Sequence, residues 1–474
     1  MSNNKFFNKK KTILNESSLL FLNTAGALCL ILNAGIAQAK MPTDNLLAFN
    51  PSSGTCYPWM DCANNSDDST DDNTDNDTDN NTDGNVSDNG SDTGNGTPNE
   101  PVNGTVVSSE ADIINAINSA RAGTTIYVRG GTYYFNSTIA ARNSGSSSAK
   151  INLRAHPNDS KRPKFDFSAM SENSSNRGMI LSGDYWHIYG IDFFKAGDNC
   201  LNVSGDNNTI EFSTFSECAD TGLQLGGGAS NNLILNSDSY FNADSTLENA
   251  DGFAAKLDVG TGNKFVGCRA WNNLDDGWDG YMRQTNNVTT THENCWAIDN
   301  GKLKNGNKGA GDGNGFKTGG SDGKDKSHNA VYKHCIAAGN VYDGFDHNGN
   351  RGSVTILNST AHGNGRNINF SSSNPAASLT VKNTVSLDGG NSDSFRADRT
   401  DISSNSWQNG RQASRSDFVS IDTRQLKAPR KADGSLPDID YMKLVPGSDL
   451  IDSGANVGLP YNGSRPDIGA FESR

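Results

Sequence analysis

A glycine followed by a large apolar residue recurs along the middle of the chain, and this repeat constrains the fold more than any other feature. The pairs are Gly222-Leu223, Gly252-Phe253, Gly277-Trp278, Gly315-Phe316 and Gly344-Phe345. The underlying repeat is about 24 residues long, with insertions in two of its copies. Such a repeat indicates a solenoid in which each coil packs only on its neighbours.

Asparagine occupies the turn in the middle of each repeat, at Asn242, Asn273, Asn300, Asn340 and Asn364. Asparagine tolerates the left-handed backbone of tight turns, and stacked asparagine side chains can hydrogen-bond from one coil to the next. Short runs such as Lys264-Phe265-Val266 have the pattern of strands, and no helical periodicity interrupts them. These features predict an all-β fold, the parallel β-helix.

The two ends of the repeat region have different patterns. Ser109 and Asp112, followed by apolar residues at helical spacing, predict a short capping helix ahead of the first strands. Such a helix would cover the open end of the first coil. Beyond Ser386 the repeat weakens, and we expect an irregular tail that packs back along the β-helix and covers its other end. The β-helix domain is therefore predicted to span residues 105–474.

The first 104 residues predict export and a linker. Residues 1–39 contain a basic stretch, an apolar run and Ala37-Gln38-Ala39, which is the order of a secretory signal peptide. A short segment follows at 40–62. Residues 63–104 are almost wholly Asp, Asn, Ser, Thr and Gly, a composition typical of a disordered linker. We therefore expect a secreted, monomeric protein without a membrane span.

Seven of the eight cysteines remain once the signal peptide is removed. Cys56 and Cys62 are close enough in sequence to form a small disulfide loop in an oxidising compartment. The other five lie in the repeats, where we expect buried small side chains in preference to disulfides: Cys200, Cys218, Cys268, Cys295 and Cys335.

The formal net charge of −14 is concentrated in the linker, because residues 61–100 contain twelve acidic residues and no basic ones. The repeat region is therefore only mildly acidic. It has no dense basic stripe of the kind that binds nucleic acid, whereas its lysines and arginines remain available to a polyanionic substrate.

Four aspartates and a lysine converge when the repeats are aligned on the glycine. Asp251 and Asp276 precede it, whereas Asp279 and Lys317 follow it by two residues. Equivalent residues in adjacent coils lie about 4.8 Å apart, so these residues and Asp275 should form one patch. Asp-Gly is also a common turn sequence, but a turn does not explain Asp275 or Asp279.

Carboxylates packed this closely repel one another unless a cation neutralises them or some of them are protonated. Oxygen ligands without histidine or cysteine favour Ca²⁺. Beside calcium the ammonium form of Lys317 is disfavoured, so its pKa should fall and a neutral base becomes accessible. Calcium beside a basic amine suits removal of the proton next to a uronate carboxylate, with β-elimination of the glycosidic oxygen.

These residues resemble polysaccharide lyase family 9, the pectate lyases built on a right-handed parallel β-helix. The resemblance covers residues 104–474 and is carried by Asp251-Gly252-Phe253, Asp275-Asp276-Gly277-Trp278-Asp279 and Asn314-Gly315-Phe316-Lys317. It implies that calcium is bound by Asp251, Asp275, Asp276 and Asp279 and that Lys317 is the Brønsted base. It also implies that polygalacturonate is the substrate, cleaved to 4,5-unsaturated oligogalacturonides. We expect cleavage to be fastest at alkaline pH, where Lys317 is more often neutral.

Three basic residues are further candidates for contact with substrate carboxylates: Lys256, Arg269 and Arg283. Two alternatives share the fold, an alginate or other polyuronate lyase and a non-catalytic calcium-dependent carbohydrate-binding protein, which would have no need of Lys317. A pectin hydrolase is disfavoured, because Ala361-His362-Gly363 matches its Gly-His-Gly signature only in part. Hydrolysis would also need a pair of carboxyl groups without a required metal.

Overall fold

The computed structural model describes residues 102–473, which fold into many short strands. In chain order these are β1 (Thr105–Val107), β2 (Thr125–Val128), β3 (Gly131–Tyr134), β4 (Ile139–Ala141), β5 (Ile151–Ala155), β6 (Pro163–Asp166), β7 (Met179–Leu181), β8 (Trp186–Tyr189), β9 (Asp192–Phe194), β10 (Leu201–Val203), β11 (Thr209–Glu211), β12 (Thr214–Ser216), β13 (Leu223–Leu225), β14 (Leu233–Leu235), β15 (Asp238–Tyr240), β16 (Phe253–Ala255), β17 (Asn263–Val266), β18 (Arg269–Trp271), β19 (Trp278–Asp279), β20 (Val288–Glu293), β21 (Trp296–Ile298), β22 (Phe316–Lys317), β23 (His328–Lys333), β24 (Ile336–Ala338), β25 (Asp343–Asp346), β26 (Ser353–Leu357), β27 (Thr360–His362), β28 (Arg366–Phe370), β29 (Ser378–Lys382), β30 (Val385–Leu387), β31 (Ser394–Phe395) and β32 (Thr400–Ser403).

Within the repeats each strand pairs in parallel with the strand three places earlier in the chain, so the strands build three long sheets. Sheet A runs β1-β2-β5-β8-β11-β14-β17-β20-β23-β26-β29-β32, sheet B runs from β3 to β30, and sheet C runs from β4 to β31. Three parallel sheets wound by one chain are a parallel β-helix. The predicted fold class is confirmed.

The glycine–apolar pairs align in sheet C as the repeat predicts. Consecutive strands β13, β16, β19, β22 and β25 place in register the residues Leu223, Phe253, Trp278, Phe316 and Phe345. Their side chains fill the core, with Trp278 stacked 5.1 Å from Phe253 and 4.8 Å from Phe316 between ring centroids. A Cβ on Gly277 would lie 2.6 Å from the Gly315 carbonyl oxygen, which explains the glycine.

The predicted asparagines form a continuous ladder inside the turn. The side-chain Nδ2 of each donates to the Oδ1 of the next at 2.8–3.0 Å, through Asn242, Asn273, Asn300, Asn340 and Asn364. The left-handed backbone belongs to the residue before each of them, for example Asn272 with φ 52°. The ladder fixes the register of the coils because each buried side-chain amide forms a hydrogen bond with the amide of the next coil.

The predicted capping helix is α1 (Glu110–Ser119), with Ser109 as its N-cap. The Ser109 side chain accepts a hydrogen bond from the backbone N–H of Asp112 at 3.2 Å. Buried Ile113 and Ile117 pack this helix on the first coil. Across residues 102–473 we find no helix with the length and hydropathy of a membrane span.

The tail after β32 is irregular apart from two 3₁₀ turns, Arg415–Asp417 and Thr423–Lys427. It packs back along the β-helix as predicted: Lys427 Nζ bonds Asp299 of the turn after β21 at 2.7 Å. Tyr441 lies beside His362 of β27, with Oη 2.9 Å from Nδ1. The repeat itself continues beyond Ser386 for two more strands, β31 and β32.

The cysteine prediction is wrong for one pair. Cys200 and Cys218 form a disulfide, with their Cα atoms 5.6 Å apart. They lie 18 residues apart at two corners of neighbouring turns, a proximity that coil-to-coil alignment does not show. The other three repeat cysteines are buried and free, as expected. The signal peptide, the Cys56–Cys62 loop and residues 63–101 of the linker lie outside the described residues.

Candidate active site

The predicted site lies on sheet C, where three adjacent strands bring its residues together. β16, β19 and β22 are in register, and Asp279 pairs directly with Lys317. Ala254 and Asp346 occupy the same position in the flanking strands. The insertion before Lys317 therefore leaves the register unchanged, as the repeat alignment predicts.

Three of the predicted metal ligands form one group. Each of Asp251, Asp275 and Asp276 offers a carboxylate oxygen that lies within 4.8 Å of the other two. Backbone N–H groups orient these carboxylates: Asp276 N donates to Asp251 Oδ1 at 3.2 Å. Asn314 N donates to Asp276 Oδ1 at 2.9 Å. Asp251 and Asp276 are buried, whereas Asp275 is partly exposed.

Asp279 stands beside this group and faces the lysines. Its Oδ1 accepts a hydrogen bond from Tyr281 N at 2.9 Å and lies 3.9 Å from Lys317 Nζ. Its Oδ2 lies 3.4 Å from Lys256 Nζ. Asp279, the fourth predicted ligand, therefore lies beside the other three aspartates, and its carboxylate contacts the ammonium groups of both lysines.

Two lysines partly neutralise the carboxylates. Lys317 Nζ lies 3.1 Å from Asp276 Oδ2, an oxygen that accepts no hydrogen bond from the described residues. Lys256 Nζ lies 2.7 Å from Asp251 Oδ2. Four carboxylates and two ammonium groups leave the cluster with two formal negative charges in excess when all are ionised.

The excess negative charge shows in the pKa values. Burial, together with the neighbouring carboxylates, raises the pKa of Asp275 to about 7 and raises the pKa of Asp276 well above its usual range. Burial alone would lower the pKa of Lys317, but attraction to the carboxylates around it outweighs burial and raises that pKa. This direction is opposite to the one expected beside a cation, because the charges that face Nζ here are mainly negative.

Asp251, Asp275, Asp279 and both lysines of the cluster line an open groove with a volume of about 670 Å³, whereas Asp276 is fully buried. Arg283 is on the wall, its guanidinium 3.3 Å from Asp322 and 5.9 Å from the centre of the Tyr281 ring. Its side chain is 57% exposed, so it remains accessible to a ligand in the groove. Arg177 and Asp198 line the groove farther toward the N-terminal coils.

Arg269 is wrong as a predicted substrate contact. The residue is 1% exposed and lies in sheet B. Its guanidinium forms a bidentate pair with Asp238 at 2.8 and 2.9 Å. It also donates to the carbonyl oxygens of Leu426 and Ala428 in the tail. Lys256 lines the groove, but its ammonium is already paired with Asp251.

Sequence reasoning missed Asp312, which belongs to the loop inserted before Lys317. Its backbone N–H donates to Asp275 Oδ1 at 2.5 Å, and its exposed carboxylate lies 3.4 Å from Lys317 Nζ. The loop departs from the repeat, so alignment of the coils gives no position for it. The length of this loop and its glycines were the features of the sequence that could have drawn attention to it.

The donor set fits a calcium ion. Asp276 Oδ2 is buried without a hydrogen bond, and the three clustered carboxylates supply hard oxygen atoms from one small volume. The two excess negative charges match one divalent cation. We find neither histidine nor cysteine among these clustered ligands, so the chemistry does not favour zinc or copper.

Comparison with known proteins gives a consistent family. The family described as "Pel9A-like, right handed beta helix region" matches residues 84–394. Pectate lyase L of Dickeya dadantii is 38% identical over 387 residues, which cover 78% of this chain and 87% of that protein. Pectate lyase L of Paenibacillus polymyxa is 40% identical over 365 residues, covering 72% and 79%.

A solved structure agrees with these relatives. The crystal structure of pectate lyase Pel9A superposes with a TM-score of 0.68 at 38% identity, over 76% of this chain and 90% of that one. The hand of the β-helix is therefore right-handed, as predicted. The chain belongs to the Pel9A-like family of right-handed β-helix pectate lyases, and it is a polysaccharide lyase.

Proposed function

We propose that this protein is a secreted, calcium-dependent pectate lyase that cleaves polygalacturonate by β-elimination, with Lys317 as the base. One observation carries the proposal. Lys317 lines an open groove, with its Nζ 3.1 Å from the buried Asp276 Oδ2, beside carboxylates in excess over ammonium groups. A binding protein would have no need of an amine at this point.

Asp251, Asp275, Asp276 and Asp279 would hold the ion. The first three already share one small volume, and Asp279 adjoins them on the same strand as Trp278. When bound, calcium would offset the charge that keeps Lys317 protonated, bind the uronate carboxylate and stabilise the negative charge that develops at C5.

Lys317 would act through its neutral amine. The Nζ lone pair takes the C5 proton, and the electrons of the C5–H bond form a double bond between C4 and C5. The C4–O bond breaks, and the glycosidic oxygen leaves with its electron pair and takes a proton from solvent. The products are a new reducing end and a 4,5-unsaturated uronate.

The charge around Lys317 supports an alkaline optimum. The carboxylates raise the pKa of Lys317, so the neutral amine becomes more abundant as the pH rises. The rate should therefore increase with pH until another group titrates or the fold weakens.

Two further basic residues of the groove, Arg283 and Lys256, take different roles. Arg283 is exposed and would bind a substrate carboxylate next to the reacting sugar. Lys256 is 15% exposed and spans Asp251 and Asp279, at 2.7 and 3.4 Å. We assign it to holding these two carboxylates in place, although the sequence alone suggested a substrate contact.

One assay tests the function. Purified protein is incubated with polygalacturonate, and separately with alginate, in calcium and in chelator. We expect ultraviolet absorbance of unsaturated product from polygalacturonate in calcium only. Reducing ends without that absorbance would indicate hydrolysis, and product from alginate alone would indicate the other polyuronate. Retention of polymer without any product would indicate a binding protein.

A further inference from the structure

One residue in every coil of sheet C occupies the position three residues before the core apolar side chain. In successive coils these residues are Asp198, Asp220, Ala250, Asp275, Gly313 and Tyr342. The backbone confirms the alignment: Tyr342 N bonds the Gly313 carbonyl at 3.0 Å, and Asp275 N bonds the Ala250 carbonyl at 3.1 Å. The three aspartates of this series line the groove.

Tyr342 is the aromatic member of this series, and it is 47% exposed. It precedes β25, the strand that pairs with β22 and so lies one coil beyond Lys317. The intervening member is Gly313, which carries no side chain. Adjacent coils are about 4.8 Å apart, close to the length of one pyranose residue, so a polysaccharide that runs along the sheet from Lys317 would bring its next sugar beside Tyr342.

Lys308 completes this place from the inserted loop. Its Nζ lies 4.2 Å from the centre of the Tyr342 ring and 3.0 Å from Tyr342 Oη. A β-bridge between Lys302 and Lys308 fixes that part of the loop. Among residues 102–473, no carboxylate forms an ion pair with Lys308, although most of the lysines around the site have one.

We propose that Lys308 and Tyr342 form a uronate subsite, in which the tyrosine ring packs on a sugar face and the ammonium binds the carboxylate of that sugar. The inference rests on the proposed function, because it takes a polyuronate chain as the occupant. A flat amphipathic ring beside an unpaired ammonium matches a uronate, which has an apolar ring face and one negative charge. The position extends the established groove toward the C-terminal coils.

The subsite is tested by the kinetics of Lys308→Ala and Tyr342→Ala. Each should raise KM for polygalacturonate roughly three- to fivefold, as expected for one exposed contact, and leave kcat within about twofold. Cleavage of hexagalacturonate should also move to a different bond. Lys308→Arg should restore the wild-type KM, because it keeps the charge. Tyr134→Ala and Lys161→Ala are matched controls, since both residues are exposed and lie in the first coils.

A binding measurement keeps the subsite separate from turnover. In electrophoresis through gels that contain polygalacturonate and calcium, Lys317→Ala protein should be retarded, and addition of Tyr342→Ala should reduce the retardation severalfold. Unchanged KM, bond preference and retardation would overturn the subsite. If wild-type protein releases no unsaturated product, the proposed function fails, and the gel retardation still decides whether Lys308 and Tyr342 bind the polymer.

Discussion

Two buried charged clusters lie on different faces of the same β-helix, and they are built from the same kinds of residue. On sheet B, the single carboxylate of Asp238 is shared by two guanidinium groups, with Arg269 Nη2 at 2.8 Å and Arg430 Nη2 at 2.6 Å. On sheet C, four aspartates form ion pairs, among the described residues, only with Lys256 and Lys317 or with none. The first cluster has an excess of positive charge, and its guanidinium groups also donate to backbone carbonyl oxygens. The second cluster has an excess of negative charge and lies beside a groove.

The pKa values show the same contrast. Burial would raise the pKa of Asp238, but its two arginines outweigh burial and lower it. In the sheet C cluster burial and like charge act together, and the pKa of Asp251, Asp275 and Asp276 is raised. A cluster whose charges are compensated by the protein stabilises the tail. A cluster that the protein leaves uncompensated, beside an open groove, is where a cation and a substrate would bind.

Arg269→Ala should have the largest effect on stability. It leaves Asp238 buried with one partner fewer and removes the donors to Leu426 and Ala428. The free energy of unfolding should fall by about 3–5 kcal/mol, measured by urea denaturation. The rate per folded molecule should stay within about twofold of wild type. A large loss of kcat without loss of stability would show that Arg269 serves the site after all.

Calcium should stabilise only the sheet C cluster. At a concentration a hundred times its dissociation constant it should add about 2.7 kcal/mol to the free energy of unfolding, seen as a rise in Tm over chelator-treated protein. Asp276→Asn should remove most of this rise, whereas Asp325→Asn, in an exposed loop, should keep it. An equal rise in both variants would place the ion elsewhere.

The clusters should respond to pH in opposite directions in chelator. The pKa of Asp275 is raised to about 7, above roughly 3.9 in an unfolded chain. Its contribution to stability is therefore full below about pH 4 and is lost as the pH rises through 7. Asp238, with a lowered pKa, contributes above the unfolded value and loses its contribution only in acid.

The measurement is urea denaturation of wild type and Asp275→Asn at pH 5 and pH 8 with chelator present. Between pH 5 and pH 8, the free energy of unfolding of wild type should fall by about 1 kcal/mol more than that of the variant. This figure is reduced because Asp275 is partly exposed. Equal losses in the two proteins would contradict the raised pKa. A greater fall in the free energy of unfolding of the variant would mean that the pKa of Asp275 is lowered by folding.

Asp312→Asn should have the smallest effect. The variant keeps the backbone N–H that binds Asp275 and loses only the carboxylate 3.4 Å from Lys317 Nζ. Loss of this carboxylate should lower the pKa of Lys317 and make its neutral amine more abundant, so we expect kcat at neutral pH to rise about threefold with KM unchanged, the size of one exposed ion pair. Asp325→Asn is the control. An unchanged or lower kcat, with the Tm intact, would contradict an influence of the Asp312 carboxylate on Lys317.

The repeat explains which features could be predicted from sequence. Residues at one offset from the glycine stack in adjacent coils, so the pairing of Asp279 with Lys317 follows from counting alone. The asparagine ladder follows in the same way. The capping helix could be predicted because Ser109 and the spacing of apolar residues are local signals.

Features that depend on contacts outside the repeat could not be predicted. Arg269 is buried by tail residues more than 150 positions later in the chain, and the tail has no periodicity to align. The Cys200–Cys218 disulfide joins the turn before β10 to the turn after β12, whereas the alignment compares equivalent positions only. Lys308 and Asp312 lie in an insertion whose course is set by its own contacts.

The most direct test of the central claim is the rate of unsaturated product from polygalacturonate by Lys317→Ala in saturating calcium. We expect a loss of roughly 10²–10⁴-fold, the usual contribution of a general base, while the calcium-dependent rise in Tm persists. These two results together would distinguish the role of Lys317 as the base from the role of the aspartates as metal ligands. A rate within tenfold of wild type, with the Tm rise intact, would contradict Lys317 as the base.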